Sequence, residues 1–227
     1  NFMICVIPAR KGSKGLKNKN LKKLNGAPLI FHTIQVAQKC KEISKVLIST
    51  DNEKIIKLYK NEKKVLILSR RPKKLSSDHS KSIDVYLHTI REYEILNNTK
   101  VHSFCAMLPT HPIRSQKEID NAIKFFYKKK AKFLITVKEQ PPINFNFSIK
   151  NDKIHPYKNI KMSVENRQKL KKNYSPSGSL YVFNHNELKI KKTFMTKDTI
   201  AYIQKKTPSF DIDTIQDFNF VKKYIEK

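Results

Sequence analysis

The sequence predicts a three-layer α/β sandwich, a mainly parallel sheet between two layers of helix, with one small insertion. Three observations carry the expectation. Short runs rich in Val, Ile and Leu alternate with longer stretches whose apolar residues recur at helical spacing. This rhythm holds to about residue 137 and breaks between about 140 and 175, where prolines, asparagines and basic residues fit no strand–helix unit. The length of 227 residues, with 39% hydrophobic, suits one domain spanning 1–227. In such a sheet ligands sit at the carboxyl ends of the strands.

Met3–Ile7 reads as a buried strand closed by Pro8, and Pro28 opens a helix to about Lys39, with Leu29, Ile30, Thr33, Ile34 and Ala37 on one face. Lys45–Ser49 is a second strand, and Asp51 or Asn52 caps a short helix bearing Ile55, Ile56 and Tyr59. Val65–Leu68 is a third strand. A loop rich in Ser and Pro leads to a helix from about Ile83 to Ile95. Ser103–Leu108 is a fourth strand, stopped at Pro109. Ser115 starts a helix to about Lys129, and Phe133–Val137 is the fifth strand. After the insertion, read as an arm or oligomer interface, regular structure resumes at Gly178–Phe183, Ile200–Gln204 and Phe210–Asp213, and Thr214 caps a last helix to about Ile225.

The balance of 47 Lys+Arg against 19 Asp+Glu gives a net charge of +28. Such a balance invites a nucleic-acid reading. The lysines are spread over the whole chain, and aromatic residues do not interleave with them as a stacking platform, so a solvated basic surface is the expectation and nucleic acid is not an expected partner. Cys5, Cys40 and Cys105 lack metal-ligand spacing and read as packing in a reduced, cytoplasmic protein. No apolar run approaches the ~18 residues of a membrane span, so no membrane association or signal segment is expected, and Met3 is read as the native start.

Two of only four glycines, Gly12 and Gly15, stand in the loop after the first strand, among Arg10, Lys11, Lys14, Lys17 and Lys19. Glycine permits unusual backbone angles or close approach, and freed N–H groups beside cations make a phosphate cradle. The spacing is neither that of a P-loop nor that of a dinucleotide-binding turn, and a solvated basic loop stays open as the alternative. Asp211 and Asp213, two apart on what reads as a strand, point to one face and suit Mg²⁺ shared with phosphate oxygens; a helix cap beside an exposed carboxylate is the alternative. His79, His88 and His111 lack a triad-like partner and read as core or surface histidines.

The loop Ile7-Pro-Ala-Arg-Lys-Gly-Ser-Lys-Gly15, with Lys19-Asn20 and Leu24-Asn-Gly-Ala-Pro-Leu29, closely resembles the signature of the acylneuraminate cytidylyltransferases, and further motifs follow in family order. These are Ile48-Ser-Thr-Asp51, Arg71-Pro-Lys-Lys-Leu-Ser-Ser-Asp78 with Ser82, Leu108-Pro-Thr-His-Pro-Ile-Arg114, Asn166-Arg-Gln168, Pro176-Ser-Gly178 and Phe210-Asp-Ile-Asp213. The resemblance implies a Rossmann-like (GT-A-like) nucleotidyltransferase working as a homodimer through the inserted arm. The anomeric hydroxyl of a nonulosonic, sialic-type acid attacks the α-phosphate of CTP, with Mg²⁺ as cofactor, giving a CMP-sugar and pyrophosphate. It implies that Arg10 and Lys14 hold the triphosphate and stabilise the transferring group, that Gly12, Ser13, Lys19 and Asn20 complete the nucleotide loop, and that Arg71 and Ser82 grip the cytidine. Asp211 and Asp213 are then the metal ligands. Leu108 and Thr110 face the acceptor, and Arg167 reaches the partner's sugar pocket.

The sequence departs from the family pattern on the sugar side. Leu108 replaces a glutamine, Ser175 an arginine, Ser177 an asparagine, and Asn144 stands where a lysine is common. A legionaminate- or pseudaminate-type acid is therefore as compatible as neuraminate. A CMP-Kdo-type synthetase, a basic nucleic-acid-binding protein and a non-catalytic interaction protein stay open as alternatives.

Overall fold

The computed structural model describes residues 3–13, 15–157 and 170–226. Strand β1 (Met3–Pro8) leads through the glycine-containing loop and a 3₁₀ turn at Lys19–Leu21 to a small hairpin, β2 (Lys23–Leu24) and β3 (Ala27–Pro28). Helix α1 (Leu29–Lys39), β4 (Ile43–Ser49), α2 (Glu53–Tyr59), β5 (Val65–Leu66), α3 (Ser82–Asn97), β6 (Ser103–Ala106), α4 (Gln116–Lys128) and β7 (Phe133–Gln140) follow in strand–helix rhythm. A hairpin of β8 (Phe147–Lys150) and β9 (Lys153–Pro156) forms the described part of the insertion. Then come β10 (Asn173–Asn184), α5 (His185–Lys191), β11 (Thr199–Ile203) and α6 (Ile215–Ile225).

Seven strands form the main sheet in the order β11-β7-β10-β6-β1-β4-β5. The pairs β1–β4, β1–β6, β4–β5 and β11–β7 are parallel, whereas β10 runs antiparallel to both β6 and β7. Strand β1 explains why the sheet is covered twice. Met3, Cys5 and Ile7 face a core with Ile30 and Ile34 of α1, Ile55 of α2 and Ile119 and Ile123 of α4, while Ile4 and Val6 face Tyr86 and Ile90 of α3 and Leu188 of α5. A third, smaller cluster ties the loop after β1 to the last helix: Leu16, Leu24 and Leu29 pack with Ile212, Phe218 and Val221.

Local chemistry sets the helix starts. Asn52 and Ser115 each accept a backbone N–H as N-caps of α2 and α4, and Thr214 and Asp217 form a reciprocal capping box on α6. Ser82 is the first helical residue of α3, preceded by Lys81.

The structure corrects the sequence reading at four places. The sheet holds an antiparallel member, β10, which begins at Asn173 rather than 178, because its first residues pair with the end of β7. The insertion contains a regular hairpin, and α5 was not foreseen. Residues 211–213 are not a strand; they run extended outside the sheet, held by the Ile212 N–H on the Thr110 carbonyl at 2.9 Å. Alternation survives there, with Ile212 buried between two exposed aspartates.

Candidate active site

The loop after β1 is fixed at its start by residues 49–51. The N–H of Ala9 donates to Ser49 O at 2.9 Å, Thr50 Oγ1 donates to Ala9 O at 2.5 Å, and the Lys11 N–H donates to Asp51 Oδ1 at 2.7 Å. The loop therefore rests on the carboxyl end of the neighbouring strand β4, as the open-sheet rule requires. Asn20 is buried and its Nδ2 donates to Arg10 O at 3.1 Å, holding the turn that presents Arg10.

Gly15 and Lys19 connect this loop to the acidic segment. A Cβ on Gly15 would lie 2.3 Å from the Asp213 carbonyl oxygen, so glycine is needed there for close approach; Gly12 faces open space. Lys19 Nζ donates to Ile212 O and to Asp213 Oδ1, both at 2.8 Å. Nearly nine-tenths covered, with 12% of its side chain exposed, Lys19 both neutralises Asp213 and ties its main chain to the loop.

The cleft at this end of the sheet has two adjoining parts that share Pro8 and Arg10. One, of about 320 Å³, is lined by Ser13, Gly15, Lys19, Asn20, Leu108, Thr110 and Asp213. The other, of about 210 Å³, is lined by Arg71, Asp78, Ser80 and Ser82. Arg10 Nη1 lies 2.5 Å from Asp78 Oδ1, so a carboxylate of the 69–82 loop occupies the guanidinium at the boundary of the two. Arg71 is buried, not a surface cation: it donates through Nε to Ser49 Oγ at 3.1 Å and through Nη2 to Ser49 O. Burial lowers its pKa to about 10, against a raising contribution from Asp51, so it stays charged at neutral pH. Ser82 hydrogen-bonds the Tyr86 hydroxyl one turn on.

The segment 108–114 forms the other wall, and a fully enclosed guanidinium organises it. Arg114 donates to Ser179 O at 2.8 Å, Thr33 Oγ1 at 2.9 Å, Leu108 O at 2.7 Å and His111 O. These bonds stitch the turn to α1 and β10. His111 is buried against Gly178, whose φ of +72° and whose missing Cβ make room for the ring; an added Cβ would fall 2.0 Å from Nε2. Burial first, then Arg114 and Lys138, push the His111 pKa down to about 3, leaving a neutral imidazole. Thr110 Oγ1 lies 3.0 Å from His111 Nδ1 and hydrogen-bonds Asp211. A hydroxyl donates once, so with its proton on Asp211 it accepts from Nδ1–H and fixes the tautomer.

A turn inside β10 supports this wall. The ladder with β7 breaks between Pro176 and Tyr181, and the buried Thr136 fills the gap: its Oγ1 donates to Leu180 O at 3.0 Å and accepts from Ser177 Oγ at 2.8 Å and from the Leu180 N–H at 2.9 Å. Beside this break opens a second cavity of about 570 Å³, lined by His111, Lys138, Asn146, Asn173, Ser177 and Asp211 among others. Its walls are largely polar, and Asn146, next to the start of the inserted hairpin, is one of them.

The two aspartates therefore do not line one cavity. Asp213 faces the cleft with Arg10 and Lys19, and Asp211 faces the second cavity; the chain between them is the partition. Desolvation raises the Asp211 pKa, with Asp213 adding to it and Thr110 and Lys19 opposing. Asp211 and Asp213 are the carboxylates on either side of the partition, hard oxygen donors of the kind a divalent cation takes. Among the described residues no three His, Cys, Asp or Glu side chains cluster as a metal site.

Of the residues singled out from sequence, Arg10, Ser13, Lys19, Asn20, Leu108, Thr110 and Asp213 come together in one part of the cleft, and Arg71 and Ser82 in the adjoining one. Gly12 lies on the same loop without lining either part, and Asp211 lines the second cavity. Lys14 and Arg167 lie outside the described residues, as do Asn166 and Gln168. Sequence reasoning passed over Asp78, Arg114, Lys138 and the location of His111. Only Gly178, in a chain with four glycines, gave a signal of the packing there.

The sheet has the Rossmann-like α/β fold seen among nucleotidyltransferases. The structure of CMP:2-keto-3-deoxy-manno-octonic acid synthetase complexed with CTP superposes with a TM-score of 0.70 at 14% identity, covering 100% of this chain and 99% of that one. The chain itself belongs to the cytidylyltransferase family, whose sequence profile matches residues 4–227. It is 32% identical over 221 residues to the N-acylneuraminate cytidylyltransferase of Streptococcus agalactiae serotype III, covering 95% of this chain and 51% of that protein. It is 30% identical to the pseudaminic acid cytidylyltransferase of Campylobacter jejuni over 223 residues, 96% of this chain and 94% of that protein. The chain thus spans about half the length of the streptococcal relative and nearly all of the Campylobacter one.

Proposed function

We propose that the chain is a CTP-dependent synthetase that transfers a cytidylyl group to the anomeric hydroxyl of a nonulosonic acid. The observation that carries the reading is the partition at Ile212. It separates a cationic cleft holding Arg10, Ser13 and Lys19 from a polar cavity large enough for a sugar acid, with one carboxylate facing each side. In this reaction the acceptor oxygen bonds to the α-phosphorus, the bond from that phosphorus to the bridging oxygen breaks, and pyrophosphate leaves. Such a transfer asks for positioning and charge neutralisation. Arg10 meets the phosphates on leaving Asp78, Lys14 adds a second cation, and Gly12 and Ser13 bring loop backbone to them. Lys19 and Asn20 act through the loop, holding Asp213 and the Arg10 main chain. Arg71 and Ser82 border the part suited to the base and ribose, and Thr110 orients Asp211. Asp211 and Asp213 would hold a Mg²⁺ ion, which would supply Lewis-acid neutralisation of the triphosphate.

The same reading takes the protein to be a cytoplasmic homodimer. Phe147, Ile149, Ile154 and Tyr157 are exposed on and beside the hairpin, an apolar surface suited to a second copy, and Arg167 belongs to the same insertion. Three free, buried cysteines suit a reducing compartment. Among the described residues no helix is long and apolar enough to cross a membrane.

The test is pyrophosphate release from CTP and Mg²⁺ with a panel of neuraminic, legionaminic, pseudaminic and 2-keto-3-deoxy-octonic acids. Release with a nine-carbon acid is expected. A protein that binds no CTP, or that releases pyrophosphate only with the eight-carbon acid, overturns the reading.

A further inference from the structure

The second cavity has a charge pattern that the nucleotide chemistry leaves unused. Among the described residues lining it, Lys138 is the one lysine or arginine, and Gln140, Asn146, Asn173, Ser175 and Ser177 are uncharged polar residues. Lys138 stands near the end of β7, half-buried, and its Nζ donates to Ser209 O at 3.2 Å. An ammonium has three donors, so with this one bond among the described residues it keeps capacity for an entering anion. Among the described residues Asp211 is the one carboxylate lining the cavity, and Lys138 is the one cationic wall that the carboxylate of an entering sugar acid meets.

We propose that Lys138 binds the carboxylate of the acceptor and so turns its anomeric hydroxyl toward Asp211 and the nucleotide cleft. The proposal rests on the reading of the second cavity as the acceptor site. It makes Lys138 a determinant of acceptor specificity: the site selects acids over neutral sugars of the same shape, using a cation on the sheet rather than on the insertion.

The experiment measures sugar-acid binding to the CTP-loaded protein by calorimetry, and turnover, for the wild type, Lys138→Met and Lys138→Arg, each with the acid and with its methyl ester. A charge-assisted bond of this kind predicts about a tenfold to hundredfold weaker acid KM in Lys138→Met. The CTP KM should stay within about twofold, and Lys138→Arg should recover most of the loss. The ester should bind the wild type and Lys138→Met alike, which a merely structural role does not produce. Equal acid binding in wild type and Lys138→Met overturns the assignment alone, as does an equal loss for acid and ester. A wild type that binds CTP but none of the acids overturns the acceptor-site reading and the assignment with it.

Discussion

Replacing Gly15 with alanine isolates the contact that joins the nucleotide loop to the acidic segment. The new Cβ would sit 2.3 Å from the Asp213 carbonyl oxygen. Carbon and oxygen ordinarily approach no closer than about 3.3 Å, so about 1 Å has to be gained. Asp213 cannot give it. Its neighbour Ile212 is bonded to Thr110, Lys19 grips both the Ile212 carbonyl and the Asp213 carboxylate, and the Thr214–Asp217 capping box anchors the next residues to α6. The loop therefore moves, taking Arg10 and Ser13 with it. A displacement of about 1 Å in groups that position a reacting phosphate costs about a hundredfold in rate. No large loss of stability accompanies it, because the strain is confined to a surface loop; a shift within about 1 kcal/mol is expected. The assay pairs kcat/KM for CTP with a thermal melt. Gly15→Ala activity within threefold of wild type would show that the loop and Asp213 need not stay in contact, and the account of the site would fall.

Arg114→Met strands four buried acceptors and should destabilise by about 3–5 kcal/mol, lowering the melting temperature by roughly 10 °C, with Arg114→Lys recovering less than half; a shift under about 2 °C refutes the keystone role. Asp211 has a raised pKa, so its contribution to stability is present below the unfolded value and lost as pH rises through the folded one. Asp211→Asn should therefore raise the metal-free melting temperature at pH 7, lose that gain below about pH 4, and abolish turnover; lower stability at pH 7 contradicts this. His111 has its pKa depressed to about 3, so its contribution is present above the ordinary value of 6.5 and lost as pH falls between the two. In a denaturation series over that window, His111→Asn should show a shallower decline than wild type. Light scattering should report a dimer that weakens with Ile149→Asp; an unchanged dimer removes the hairpin from the interface.

How much was legible in the sequence follows from which forces are local. The strand–helix rhythm through β7 is written in side-chain periodicity and capping residues, and Asn52, Ser115 and Thr214 cap as their chemistry dictates. The loop after β1 was visible because glycine is so scarce. The direction of β10 was not, since an antiparallel strand buried on both faces has the same apolar run as a parallel one. The strand assignment at 211–213 failed for a related reason: alternation marks an extended chain with one buried face, and here the partner is the Thr110 carbonyl rather than a ladder. Arg114 and His111 gave no local sign, because their partners at 33, 178 and 179 are distant in sequence. Lys138 was one lysine among many until the cavity around it was seen.

Strand β10 is twelve residues long, which at about 3.3 Å per residue makes a rod of roughly 40 Å from the root of the insertion to the heart of the sheet. Its outer part pairs with the end of β7, and its inner part is clamped between β6 and β7. Between them lies the single interruption of its pairing with β7, bridged by the Thr136 hydroxyl and bearing Gly178 under the His111 ring. A lever of this kind has one joint. A push on the insertion end of the rod meets that joint before it reaches the partition, and there the three hydrogen bonds of the Thr136 side chain and the Arg114 bond to Ser179 O have to carry it.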